Sequence, residues 1–128
     1  MIYWTLSLQN KTNQASEYKR SGQFDSAIKI YKTLLKSYPS NGILHKSIGK
    51  TYAGMGYFEK ALNHFETALS DAINNNDGIE SMNCEYLCEN MKKFQANGYK
   101  TNDSSFIEFI KSIVNSYNFK MPKWKDKK

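Results

Sequence analysis

At 128 residues, with 40% hydrophobic and 14% aromatic content, the chain is long enough for one packed core and too apolar for wholesale disorder. Its net charge of +6 is unevenly placed, because Lys120, Lys123, Lys125, Lys127 and Lys128, offset only by Asp126, leave a nearly neutral body. That excludes a basic domain whose whole surface is a nucleic-acid footprint, and the lack of any run of about 18 apolar residues excludes a membrane-spanning helix.

The amino end, Met1 to Leu8, is apolar but lacks the basic flank and small-residue cleavage site of a signal peptide. A first helix is predicted from about Tyr3 to Ser21, with Trp4, Leu8, Ala15 and Tyr18 on one stripe and Lys11 interrupting it. Gly22 ends it. A second helix opens near Asp25 as N-cap, turns Ala27, Ile28, Tyr31, Leu34, Leu35 and Tyr38 inward, and stops at Pro39. The third spans about Asn41 to Met55, with Leu44, Ile48, Tyr52 and Met55 inward. Gly49 sits in its middle, where glycine costs about 1 kcal/mol relative to alanine and makes sense only if another helix presses close. The fourth runs from about Phe58 to Ile73 and buries Phe58, Ala61, Leu62, Phe65, Ala68 and Leu69.

Asp77 with Glu80 reads as a capping box for a fifth helix, about Gly78 to Ala96, with Ile79, Met82, Tyr86, Leu87, Met91 and Phe94 as its apolar set. Ser105 with Glu108 reads the same way for a sixth, reaching about Tyr117 through Phe106, Phe109, Ile110, Ile113 and Val114. Residues 120–128 are expected to be a basic disordered tail. The fold class is all-α, about six helices in antiparallel pairs, forming one domain over residues 1–119.

The second and fourth helices repeat one another in register. Gly22 and Gly56, Phe24 and Phe58, Ala27 and Ala61, Tyr31 and Phe65, and upstream Tyr18 and Tyr52, are all 34 residues apart. A period of that size marks a helical repeat architecture. With Ala15 and Gly49 as the small residues three before each tyrosine, Pro39 as a terminal proline and Ala68 late in the fourth helix, the pattern resembles the tetratricopeptide repeat family. Repeat one covers about residues 8–41 and repeat two about 42–75, followed by a degenerate third pair acting as a helical cap over about 77–118. The resemblance implies a right-handed α-superhelix whose concave groove, lined by the first helix of each pair, binds a partner protein as a peptide or helix.

Carried onto this chain, the resemblance places Thr12, Ser16, Lys19, Arg20, Lys46, Ser47, Lys50, Ala53, Ser81, Cys84, Leu87 and Cys88 on the groove. Lys19, Arg20, Lys46 and Lys50 would be its polar anchors, Ser16 and Ser47 would lie beside them, and Leu87 would give apolar contact. Four cations favour an acidic segment. The family subclass that clamps chaperone C-terminal carboxylates uses lysines, asparagines and an arginine where this chain has Thr12, Ser16, Ser47, Asp77 and Ser81, so that mode is not expected.

Other chemistry is sparse. Cys84 and Cys88, four apart on one helix, are too far separated for an easy disulfide and read as reduced thiols of a cytoplasmic protein. With His45 and His64 they do not make a recognisable zinc spacing, so neither metal nor cofactor is expected. There is no phosphate loop, nucleophile elbow or histidine metal motif, and the chain reads as non-enzymatic. Two alternatives stand beside an adaptor. The lysines interleaved with Trp124 suit nucleic acid or an anionic surface, and the amino-terminal apolar stretch around Ile2, Tyr3, Trp4 and Leu6 suits a homodimer.

Overall fold

The computed structural model describes residues 6–126. They form six helices and no strand: α1 (Leu6–Arg20), α2 (Phe24–Ser37), α3 (Gly42–Met55), α4 (Phe58–Asn74), α5 (Gly78–Ala96) and α6 (Ser104–Val114). Each of α1 to α4 packs on the next, giving the stacked helix pairs of a repeat superhelix. The amino-terminal residues 1–5, where the dimer reading lay, fall outside the described residues.

The turn inside each pair is built twice from the same parts. Gln23 N–H donates to Tyr18 O at 2.8 Å, and Tyr57 N–H donates to Tyr52 O at 3.0 Å, one period later. The intervening Gly22 and Gly56 have φ of +81° and +92°, the left-handed conformation that closes a helix and favours glycine. Beyond the turns, Ala15, Ala27, Tyr31, Ala61, Phe65 and Ala68 are all buried to within 1% of complete, and Tyr52 to 7%. Tyr18 is partly buried, whereas Pro39 only stops α2 and stays exposed. Gly49 shows why no larger residue stands there. A Cβ on it would lie 2.6 Å from Phe65 Cε1 and 3.1 Å from the Ala61 carbonyl, so α4 rests directly on the α3 backbone.

Local details differ from the sequence reading in instructive ways. In α1 the buried stripe runs through Thr12 rather than breaking at Lys11, because the Thr12 hydroxyl donates to Leu8 O at 2.7 Å and satisfies itself inside the helix. The α2 N-cap is Gln23, with Asp25 in the first turn, where its charge suits the helix dipole. The α6 N-cap is Asp103, which accepts from Ser105 N–H at 2.8 Å, and the helix ends at Val114 before an Asn115 C-cap. Tyr117 therefore lies outside it and is exposed.

The largest departure concerns α6. It does not run alongside α5 as the second helix of a regular repeat. Its backbone lies against α3, and it meets α5 through rings: Phe94 with Phe106 and Phe109, and Tyr86 with Phe109. The face of α5 that a normal partner helix would cover is left open, so Ile79, Met82 and Tyr86 are 78%, 71% and 57% exposed rather than inward. The buried face of α5 is Cys84, Leu87, Cys88, Met91 and Phe94 instead.

After α6 the chain turns back. Ser116 Oγ and Tyr117 N–H both donate to Arg20 O, and the chain then crosses the ends of the helix pairs. Residues 120–126, expected to be disordered, form a strap. Lys125 N–H donates to Gly56 O at 2.8 Å, and Trp124 is half-buried with its ring edge-on to Tyr99, centroids 5.0 Å apart. Asp126 Oδ2 accepts from Lys60 N–H at 3.2 Å. That last bond has a clear cause. Tyr57, the N-cap of α4, offers no side-chain acceptor, so an early amide of that helix takes its partner from 66 residues downstream.

Candidate groove on the first helices

The first helices of successive pairs, α1, α3 and α5, present equivalent positions every 34 residues, and this arithmetic builds the candidate site as rungs. The upper rung is Thr12, Lys46 and Glu80, the middle one Ser16, Lys50 and Cys84, and the lower one Lys19, Ala53 and Leu87. The upper rung is closed by an ion pair: Lys46 Nζ donates to Glu80 Oε1. Its side chains are only 19% and 28% exposed, against 58% and 47% for the Lys92–Glu66 pair on the outer surface. Screening by water is correspondingly weaker in the groove.

Lys50 sits one helical turn below Lys46 and close to Lys19 on α1. Burial lowers the Lys50 pKa and its neighbour Lys46 lowers it further, while Glu80 and Cys84 work in the opposite sense. Lys19 is brought down to about 8, by burial first, then by Lys50, then by Arg20. Among the described residues neither ammonium has a hydrogen-bond acceptor or a carboxylate partner. Arg20 lies at the edge, exposed and paired with Glu17 on its own helix. Ser16 Oγ lies 3.3 Å from the Tyr31 hydroxyl, and Ser47 is half-buried.

Five of the residues expected on the groove surface, Thr12, Ala53, Cys84, Leu87 and Cys88, are buried. Leu87 is 5% exposed and Ala53 fully buried, because α6 covers the lower part of the row. The open part is therefore shorter than in a regular array and contains the lysines without the apolar contact. Thr12 is also buried, and Asp77 is taken up as the N-cap of α5, accepting from Glu80 N–H at 3.0 Å. Hollows of 210 and 360 Å³ lie elsewhere, beside Lys11 and Lys29 and under the strap near Pro122. Neither hollow is lined by Lys19, Lys46 or Lys50.

Glu80 was missed as a site residue. Its capping-box reading holds only through its backbone, since its carboxylate points to Lys46 and receives Cys84 Sγ–H at 3.8 Å. The signal was available, because Glu80 stands one period after Lys46.

Cys84 and Cys88 are both free and buried, and burial is the chief cause of their raised pKa values, about 11 for Cys88. They are thiols, not thiolates. His45 and His64 face each other across α3 and α4 with Nδ1 atoms 3.0 Å apart, and His45 Nε2 lies 2.8 Å from Pro39 O. Burial, then His45, then Lys32 hold the His64 pKa down to about 4. No three His, Cys, Asp or Glu side chains converge on a metal position among the described residues, and no described helix is long and apolar enough to cross a membrane.

Stacked antiparallel helices with a concave row of first helices define a helical-repeat scaffold. More particularly, the chain carries two tetratricopeptide repeats, since that family's model matches residues 8–41 and 47–70, which take in α2 and most of α1, α3 and α4. No curated protein and no solved structure matches the chain. Tetratricopeptide repeats indicate a module for protein–protein interaction and belong to a typically non-enzymatic family.

Proposed function

We propose that this chain is a non-enzymatic adaptor of the cytoplasm that holds an acidic segment of a partner protein on the open part of its groove. The observation that carries the reading is the run of half-buried lysines on the first helices, Lys46 and Lys50 one turn apart on α3 and Lys19 beside Lys50 on α1, with Lys46 paired to Glu80 and no carboxylate paired to the other two among the described residues. Half-buried ammonium groups without acceptors favour an incoming anion, because the desolvation cost has already been met in the fold. Arg20 serves at the rim, where a charge steers association more than it holds the complex. Two buried free thiols suit a reducing compartment.

The tail reading is weaker than the groove reading for a physical reason. Trp124, the aromatic that would stack on a base, is engaged with Tyr99, and the two residues after it are bonded to the body through the Lys125 N–H and the Asp126 carboxylate. Only the exposed lysines of the strap speak for an anionic surface.

A lysate pull-down with and without nuclease, run on the native chain and on the Lys46→Glu, Lys50→Glu double variant, tests the proposal. A protein captured despite nuclease, and lost from the variant with helicity unchanged, is the expected result. Capture indifferent to the two reversals would remove the groove from the function.

A further inference from the structure

The charges of the groove specify more than acidity. Three lysines stand near one another on two helices, Lys19 on α1 and Lys46 and Lys50 on α3, and among the described residues the acidic group facing them is Glu80 from α5. Two positive charges thus remain uncompensated among the described residues. Arginine, whose fork matches a planar carboxylate through two parallel bonds, is absent from the centre, since Arg20 is exposed and paired with Glu17. What the site offers instead is separate point charges aimed from different directions. A carboxylate would present two oxygens in one plane and one negative charge. A phosphoryl monoester presents three terminal oxygens in a tetrahedral spread and a charge of about −1.5 to −2 near neutrality.

We infer that the groove takes a phosphorylated side chain of the partner segment, its phosphoryl oxygens meeting Lys19, Lys46 and Lys50, with Glu80 setting the threshold for entry. The inference rests on the groove reading above and names the chemistry of its ligand. Glu80 holds Lys46 in the empty groove, so a phosphoryl group must share that lysine with it, whereas a weakly charged segment gains too little to do so. The cover provided by α6 fits the same ligand: with Ala53 and Leu87 buried, the open length lacks an apolar floor for a helix but suffices for a compact anion on an extended chain.

The test uses probes free of sequence context: doubly capped phosphoserine, doubly capped glutamate and inorganic phosphate, titrated into the full-length chain and followed by amide NMR. Saturable shifts around Lys19 and Lys50 are expected with capped phosphoserine. Affinity should exceed that for capped glutamate by about tenfold or more, the worth of a charge-assisted hydrogen bond, and should also exceed that for inorganic phosphate. Lys50→Gln and Lys19→Gln should each lose about tenfold. Glu80→Gln should tighten binding several-fold, and α5 should stay capped because Asp77 bonds the backbone amide of residue 80 and not its side chain. Circular dichroism of each variant establishes that it is folded.

Equal affinity for glutamate and phosphoserine, or binding unmoved by Lys50→Gln, overturns the phosphoryl assignment. So does a failure of capped phosphoserine to bind at all. Inorganic phosphate binding as tightly as capped phosphoserine overturns the peptide-borne form and leaves a free-anion site. In any of these cases, a lysate partner still lost with Lys46→Glu and Lys50→Glu keeps the groove and rejects only its ligand class. A partner indifferent to those reversals rejects the groove itself.

Discussion

Replacing Gly49 with alanine tests the packing on which the lysine face depends. The added methyl would stand 2.6 Å and 2.7 Å from Phe65 Cε1 and Cδ1, and 3.1 Å from the Ala61 carbonyl. Carbon contacts are comfortable only at about 3.5–4.0 Å, so the fit falls short by roughly 1 Å. Phe65 is fully buried and Ala61 O is backbone, so neither can yield cheaply. Overpacking of this kind costs about 1–3 kcal/mol, against about 1 kcal/mol returned by the better helix propensity of alanine. That leaves about 0–2 kcal/mol, and with neither neighbour able to yield the upper half is expected, about 1–2 kcal/mol or roughly 4–8 °C in Tm for a domain of this size. Gly78 is the control, for it begins α5 with nothing within 4 Å of its Cβ position, and alanine there should be neutral or slightly stabilising. Urea unfolding followed by circular dichroism reads both, with an unchanged m-value showing that only stability moved. Adding Phe65→Leu to Gly49→Ala should recover part of the loss, since residues in contact do not behave additively. If Gly49→Ala proved as harmless as Gly78→Ala, α4 would not rest on the α3 backbone and the register of the lysines would have to be redrawn.

Two further outcomes follow from contacts outside the groove. Asp126→Ala removes the acceptor for Lys60 N–H, and a lost cap costs about 0.5–2 kcal/mol, so urea unfolding should shift to lower concentration while Asp126→Asn shifts less; no shift would make the strap an inert tail. His64, held down to about 4 from 6.5, binds its proton in the unfolded chain before it does in the folded one. Its contribution is therefore complete above pH 6.5 and lost as pH falls towards 4, by roughly 1–2 kcal/mol after allowance for its solvent exposure. His64→Gln should flatten stability against pH across that window, and an undiminished slope would place the acid sensitivity elsewhere.

The repeat was legible because its parts answer local physical demands at a fixed period: a left-handed turn at Gly22 and Gly56, and small residues at Ala27 and Ala61, where helices cross. Those demands fall on single positions, so one sequence displays them. The course of α6 was not legible. Its apolar face is equally suited to α5, to α3 or to another molecule, and periodicity records that a face is buried without recording against what. The inward reading of Ile79, Met82 and Tyr86 failed for that reason, since it assumed a partner helix that went elsewhere. The strap was hidden differently. Its lysines and proline read as a solvated end, while the features that dock it are one tryptophan, one carboxylate and one backbone bond to Gly56, none of which has a pattern. Glu80 lay between these cases, placed by the period but claimed first by its local capping role.

The course of α6 also decides how a ligand can enter. Phe106, Phe109, Ile110, Ile113 and Val114 are all at most 8% exposed, and burial of such side chains contributes about 1.5–3 kcal/mol each. Even as an upper bound that counts chain already compact when unfolded, the sum is of order 10 kcal/mol. A partner that displaced α6 would have to offset most of that burial, a demand comparable with the roughly 5.5 kcal/mol needed to swing a balanced switch from one state to the other. Partners are therefore expected to bind beside α6, not in its place. That would confine recognition to the length α6 leaves open, where Lys46 and Lys50 stand with Lys19 beside Lys50, and would make a short, charged groove a consequence of the fold.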